Sequence, residues 1–289
     1  MNRSTGSALD LPALLLPALE AALEAGREIL CVYEGECGVE FKADKSPVTQ
    51  ADRLAHEVIQ KALAPTGLPF LSEEGKDIPY EARKGWEAYW LVDPLDGTKE
   101  FLNRNGEFTV NIALIRSGKP VLGVVYAPAL KVLYYAAEGV GAYRSEGPFE
   151  SLRAGSGELQ RDSKKLYLAD PPKTDGPLRV VASRSHRSSE TESFLKGLGP
   201  AYQVESVSAG SSLKFCRVAE GKADLYPRLG PTMEWDTAAG QTVAEQAGGA
   251  VCRWGTTEPL GYNKPDLHNP AFWVGNPGFL RGLQEMGTV

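Results

Sequence analysis

Asp93-Pro94-Leu95-Asp96-Gly97-Thr98 sets two carboxylates and a free hydroxyl around one forced bend. Pro94 fixes its φ near about −65° and Gly97 tolerates positive φ, so the backbone between them is bent and stiff. Such a bend can aim Asp93, Asp96 and a backbone carbonyl at one point. Converging oxygens suit a hard divalent cation, Mg²⁺ or Mn²⁺, better than zinc or copper, which favour nitrogen and sulfur. The same six residues also read as a strand-terminating turn with a helix cap, since Asp, Pro and Gly dominate ordinary turns. Partners elsewhere in the chain decide between the two readings.

Upstream, Pro69-Phe70-Leu71 reads as a brief strand delivering Ser72-Glu73-Glu74-Gly75, and Ala88 to Val92 reads as another that ends at Asp93. Far downstream, Asp236 begins the helix of Trp235-Asp236-Thr237. These acidic turns meet only if the fold brings them together; otherwise they are solvated loop residues. Asp52 and Thr98 form a second candidate pair. A threonine hydroxyl bonded to an aspartate can orient and help deprotonate a cation-held water, although each residue also suits a helix cap. Gly97 and the amides after it offer an anion site, because exposed N–H groups at a helix start favour phosphate oxygens.

Composition sets the class. A chain of 289 residues, 42% hydrophobic and 24% charged, has the balance of a soluble globular protein long enough for a substantial core and about two domains. The net charge of −6 argues against a duplex nucleic-acid binder, which needs a basic face, but leaves room for a small phosphorylated ligand. Cys31, Cys37, Cys216 and Cys252 form neither a CxxC pair nor a dense framework, so reduced thiols in a cytoplasm are expected. His56, His186 and His268 give a zinc site or histidine relay little material and read as surface or local hydrogen-bonding residues. The Leu-rich opening is broken by Asp10, Pro12 and Pro17, which suits neither a transmembrane helix nor a secretory signal.

The spacing of Leu19, Leu23, Ile29 and Leu30 predicts an amphipathic helix from Pro17 to Leu30. Val39 to Phe41 is a strand candidate, and a helix from about Gln50 to Leu63 carries the stripe Leu54, Val58, Ile59 and Leu63. Thr109 to Ile115, Pro120 to Ala127 and Val132 to Ala136 read as a meander, with Leu166-Tyr167-Leu168 strand-like after it. From Leu178 strands and helices alternate: Arg179 to Ser183, a helix over Ser189 to Leu198, Tyr202 to Val204, a helix after Gly210-Ser211-Ser212, Ala223 to Tyr226, a helix from Asp236 to Ala247, and Ala250 to Cys252. An α+β half, residues 1–177, is thus followed by an α/β half, residues 178–289. The first carries most of the candidate metal ligands; the second completes the site and the substrate pocket.

Ser46-Pro47-Val48-Thr49 with Asp52, Glu73-Glu74, Asp93 to Thr98, Gly210-Ser211-Ser212 and Trp235 to Gly240 together resemble the lithium-sensitive, magnesium-dependent inositol monophosphatase superfamily in order, spacing and placement. The likeness runs from about residue 15 to 275. It is nearest to the 3'(2'),5'-bisphosphate nucleotidase branch, through Lys99-Glu100-Phe101, Ser183-Arg184-Ser185-His186 and Leu213-Lys214-Phe215-Cys216.

The resemblance implies a layered αβαβα sandwich, two sheets flanked by helices. It implies two or three Mg²⁺ ions, with Mn²⁺ a possible substitute, held by Glu73, Asp93, the Leu95 carbonyl, Asp96 and Asp236. Asp52, Glu73 and Thr98 would activate the attacking water. The implied reaction removes the 3'-phosphate of adenosine 3',5'-bisphosphate, giving AMP and phosphate, with the 3'-phosphosulfate relative as a second substrate and a role in sulfur assimilation. Gly97, Thr98, Lys99, Arg184, Gly210, Ser211 and Lys214 would contact substrate, though Lys214 also suits a solvated helix face and Asp224 and Arg228 read as structural. Some relatives associate with the inner face of a membrane, but this sequence supplies no anchor. The rival readings are an inositol-phosphate or fructose-1,6-bisphosphate phosphatase, and a non-catalytic metal-binding protein.

Overall fold

In the computed structural model, which describes residues 9–35, 47–149, 161–174, 176–182 and 189–286, the first helix α1 spans Leu11–Glu34. Asp10 caps it by accepting from the Ala13 amide at 3.1 Å, and Gly35 ends it at φ 80°. The predicted start at Pro17 is therefore too late: Pro17 lies inside the helix. The amide it lacks would have bonded the carbonyl of Ala13, an exposed residue, so water can satisfy that group. Helix α2, Pro47–Leu63, lies against α1. It buries Ile59 and Leu63 of the expected stripe together with Ala51 and Ala55, leaving Leu54 and Val58 only half-buried.

A seven-stranded sheet follows, in the order β1 (Phe70–Ser72), β2 (Ala88–Asp96), β3 (Thr109–Arg116), β4 (Lys119–Ala127), β5 (Val132–Ala137), β6 (Gly141–Glu146) and β7 (Lys164–Lys165). β1 runs parallel to β2, and each later strand is antiparallel to the one before. Short helices α3 (Tyr80–Arg83) and α4 (Thr98–Leu102) flank β2 in sequence. Side chains alternate across the sheet. Trp90, Val92, Val110, Ile112, Leu122 and Val124 share a core with α1 and α2.

Tyr89, Leu91, Ala113, Ile115 and Val125 point the other way, into a core shared with α6 (Leu213–Ala219) and α7 (Glu234–Gln246). Contact there is at backbone distance: a Cβ on Gly123 of β4 would stand 2.5 Å from the Ala239 carbonyl of α7. Beyond these helices lies a second sheet, in the order β11 (Ala250–Arg253), β12 (Phe272–Gly275), β10 (Leu225–Arg228), β8 (Pro177–Ala182), β9 (Gln203–Ser208). Its far face packs Leu178, Val180 and Trp273 against Phe194 and Leu198 of α5 (Ser189–Leu198) and Phe279 and Leu283 of α8 (Pro277–Glu285). The layers therefore run helix, sheet, helix, sheet, helix, as expected.

Several local expectations need correction. β2 does not stop at Asp93 but continues to Asp96 through an irregularity. The strand near Leu166 is Lys164–Lys165; Leu166 and Leu168 instead donate single backbone bonds to Ala142 and Ala247. β6, β12 and α8 add elements the sequence pattern did not single out. Cys31 is disulfide-bonded, against the expectation of reduced thiols, while Cys216 and Cys252 are free and buried. Spacing along a chain does not report which thiols come within bonding reach. Val39 to Phe41 and His186 lie outside the described residues. No helix among the described residues is long and apolar enough to cross a membrane.

Candidate active site

In a regular strand, residues three apart face opposite sides of the sheet. Asp93 and Asp96 escape this because β2 carries an extra residue: Asp93 pairs with Asn111 and Asp96 with Thr109, three steps on β2 against two on β3. Both aspartates therefore share the α7 side, while Leu95 turns into the α1–α2 core. Pro94 has no amide to give to the ladder, and the Leu95 amide donates to Asp93 Oδ1 at 3.0 Å, so the bulge is satisfied internally. Gly97 then takes φ 102°, and a Cβ there would stand 2.1 Å from Ser211 Oγ. Only glycine fits that position.

The parallel register sets Ser72 beside Val92, so Glu73, whose amide bonds the Val92 carbonyl at 3.2 Å, arrives next to Asp93. Asp236 comes from the opposite side, as the third residue of α7, with Oδ2 accepting from the Met233 amide at 2.8 Å. Carboxylate oxygens of Glu73, Asp93 and Asp236 all lie within 4.8 Å of one another. Asp96 is the next neighbour. Its Oδ2 accepts from Ser212 Oγ at 3.1 Å and Asn111 Nδ2 at 3.3 Å, and its carbonyl accepts from Ser211 Oγ at 2.9 Å.

Four acids so close cannot all stay ionised at their usual pKa. Burial, then the charges of Asp96 and Glu73, push Asp93 well above the carboxylate range. Burial and Asp96 lift Asp236 to about 7. Glu73 is raised by burial, Asp96 and Glu74, with the neighbouring Asp93 and Trp235 side chains opposing; the residue is exposed, but its carboxylate turns inward. Asp96 is raised by burial against the pull of Lys214, Ser212 and Asn111. Asp52, on the buried face of α2, is pushed to about 8 by burial and then by Glu74 and Glu73, and its Oδ1 is buried without a hydrogen-bond partner. An oxygen-only set that repels itself, with an orphaned buried oxygen beside it, fits a hard divalent cation.

Beside this cluster lies a cavity of about 70 Å³, whose walls include Asp96, Asp236, Ser211, Lys214, Tyr226 and Arg228. Lys214 is buried, its Nζ donates to the Ser211 carbonyl at 3.0 Å, and burial lowers its pKa while Asp96 opposes the shift. Arg228 gives one terminal nitrogen to the Pro231 carbonyl at 3.0 Å and keeps a buried, unpartnered Nε.

A family model described as "Inositol monophosphatase family" matches residues 10–286. The chain belongs to the inositol monophosphatase family. Within the family it is 48% identical over 267 residues to the 3'(2'),5'-bisphosphate nucleotidase CysQ of Salmonella typhimurium, covering 90% of this chain and 99% of that protein. It is 50% identical over 263 residues to the CysQ of Shigella flexneri, covering 88% and 96%. The crystal structure of CysQ from Bacteroides thetaiotaomicron superposes with a TM-score of 0.84 at 48% identity, over 93% of this chain and 99% of that one. The Staphylococcus aureus inositol monophosphatase II, at 23% identity and a TM-score of 0.73, covers 94% and 92% and shares the fold.

Of the residues predicted from sequence, Glu73, Asp93 and Asp236 converge with Asp96 beside them, and Ser211 and Lys214 line the adjoining cavity. The Asp52–Thr98 hydrogen bond is not formed among the described residues: Asp52 is buried, and Thr98 is exposed at the start of α4, as is Lys99 after it. Gly210 is buried, and a Cβ there would stand 2.8 Å from Glu100 Cγ and Glu107 Cβ, so the position has no room for a side chain. Arg184 lies outside the described residues. Asp224 is structural, as expected, pairing with Arg179 through three hydrogen bonds to backbone and guanidinium nitrogens at 2.8, 3.0 and 2.5 Å. Arg228, set aside as structural, faces the cavity instead.

Sequence reasoning also missed the residues that hold the cluster. Glu234, fully buried, accepts from the Asn263 and Lys264 amides at 2.7 and 3.0 Å and from Lys264 Nζ at 2.6 Å. Asn269 Nδ2 donates to the Met233 carbonyl at 2.7 Å and Thr237 Oγ1 at 3.0 Å. Together they pin the start of α7, where Asp236 sits. Asn111, an amide inside the apolar run Val110 to Ile115, is a sequence signal of a different support, the one around Asp96.

Proposed function

We propose that this chain is a Mg²⁺-dependent 3'(2'),5'-bisphosphate nucleotidase that hydrolyses the 3'-phosphate of adenosine 3',5'-bisphosphate to AMP and phosphate, with the 3'-phosphosulfate relative as a second substrate. The observation that carries this reading is the convergence of Glu73, Asp93 and Asp236, with Asp236 and Asp96 also on the wall of a cavity to which Lys214 and Arg228 bring two cationic side chains. Its likeness to the CysQ nucleotidases supports the choice of substrate. We assign Glu73, Asp93, the Leu95 carbonyl, Asp96 and Asp236 to hold two or three Mg²⁺ ions, with Mn²⁺ able to replace them. Bound there, Mg²⁺ lowers the pKa of water and neutralises charge on the phosphoryl oxygens.

The chain's own residues do the rest. Water oxygen joins phosphorus as the bond from phosphorus to the ribose 3'-oxygen breaks, and the leaving oxygen takes a proton from solvent. Asp52 takes the proton that the water loses, a role that suits an acid held near neutrality, and the Thr98 hydroxyl orients that water. Amides at Gly97 to Lys99 orient the phosphoryl oxygens. Lys214 and Arg228 meet the second phosphate, Ser211 contacts the substrate beside them, and Arg184 is assigned to substrate contact from its sequence motif. Rates on adenosine 3',5'-bisphosphate, inositol 1-phosphate and fructose 1,6-bisphosphate test this reading. A clear preference for either of the latter two refutes the nucleotidase assignment.

A further inference from the structure

We infer that Asn111 and Ser212 are positioning residues that fix the carboxylate of Asp96 in the orientation needed to complete the cation site. The inference rests on the metal-binding reading above and not on the identity of the nucleotide.

Asp96 stands just outside the converging trio, and its placement depends on two side chains from opposite halves of the chain. Both are 1% exposed. Asn111 projects from β3 directly opposite Asp93, with its Oδ1 accepting from Thr109 Oγ1 at 3.1 Å. That bond leaves the Nδ2 hydrogens facing away from Thr109, toward Asp96 Oδ2 at 3.3 Å and Ser212 Oγ at 2.9 Å. Because Ser212 Oγ accepts from Asn111, its own single proton is directed onward. Two acceptors lie within reach: Asp96 Oδ2 at 3.1 Å and the Asp236 carbonyl at 2.9 Å. Ser212 thus stands between the side chain of one proposed ligand and the backbone of another.

Every donor in this set bonds Oδ2 and none bonds Oδ1, among the described residues. Asp96 is therefore held by one oxygen with the other left for a cation. A buried carboxylate with neither donor would be free to rotate, and partial satisfaction by Asn111 and Ser212 removes that freedom before any ion arrives. A purely structural role would need no carboxylate at the centre: an apolar trio of the same shape would fill the space at little cost.

Mn²⁺ binding to the chelator-stripped protein, followed by calorimetry without substrate, tests the idea on wild type, Asn111→Leu, Ser212→Ala and Ser212→Cys. We expect Asn111→Leu and Ser212→Ala each to weaken the affinity about tenfold or more, the usual effect of removing an outer partner of a ligand. Ser212→Cys, which keeps a weak donor, should fall between Ser212→Ala and wild type. Melting with and without Mn²⁺ supplies the structural control: the variants should lose part of the metal-dependent rise in Tm. Unchanged Mn²⁺ affinity in folded Asn111→Leu and Ser212→Ala, with only a uniformly lower Tm, overturns the inference. Failure of the wild type itself to bind Mn²⁺ overturns the metal reading instead. Should Asn111→Leu fail to fold, Ser212→Ala alone decides.

Discussion

At the scale of single residues, the site is a set of acids that the fold forces together against their mutual repulsion. Losing one of them removes a charge that a cation needs. Glu73→Gln and Asp96→Asn should each lower kcat by about 100-fold or more, at the upper end of what even outer-shell changes cause, with the near-ultraviolet circular dichroism unchanged. A wild-type rate in either variant refutes the metal assignment. Repulsion also predicts a pH dependence. Asp236 and Asp52 titrate at about 7 and about 8 in the folded chain, above the unfolded carboxyl value, so the native state holds the extra protons. Their contribution to stability is present at low pH and is lost as pH rises through those values. In chelator, Tm should fall more steeply between about pH 5 and about pH 8 for wild type than for Asp236→Asn. Parallel profiles would show that Asp236 is not perturbed in this way.

At the scale of elements, two features place the acids. One is the extra residue in β2, which turns Asp96 onto Asp93's face. The other is the seat of α7 on β4, where Gly123 lets the helix backbone within 2.5 Å of where a Cβ would be. Gly123→Ala must push α7 away, at a cost of about 1–3 kcal/mol for overpacking. Because α7 carries Asp236, the same change should raise the Mg²⁺ concentration needed for half-maximal rate. Chemical denaturation and a Mg²⁺ titration measure the two effects. A stability loss with an unshifted Mg²⁺ requirement would show that Asp236 keeps its place when α7 moves.

At the scale of the molecule, the layered arrangement puts the acidic cluster on the first sheet and supplies the cations from the second segment. Lys214 lies on α6 and Arg228 ends β10, and both reach the cavity bordering Asp96 and Asp236. A second phosphate on the substrate should therefore depend on them while a lone 3'-phosphate should not. Arg228→Met should raise KM for adenosine 3',5'-bisphosphate about tenfold, the worth of a hydrogen bond to a charged group, and leave KM for 3'-AMP nearly unchanged. Equal effects on both substrates would remove Arg228 from the second-phosphate contact.

The sequence by itself determined the acidic motifs, their placement at element ends and the family that carries them, because those features are local: a proline and glycine bend, a strand exit, a helix start. It also marked most strands of the first sheet through their apolar runs. It misjudged β2's end, since a bulge is a matter of pairing with β3 and leaves no mark in a single strand. It set Arg228 aside and gave Ser212 no role, since which face of β10 borders a cavity, and which hydroxyl meets Asp96, follow from how distant segments stack. Only the tertiary structure decided that Glu73, Asp93 and Asp236 meet within 4.8 Å. Carboxylates repel, so nothing in their local sequence draws them together; the burial of apolar faces around α7 and the first sheet holds them there.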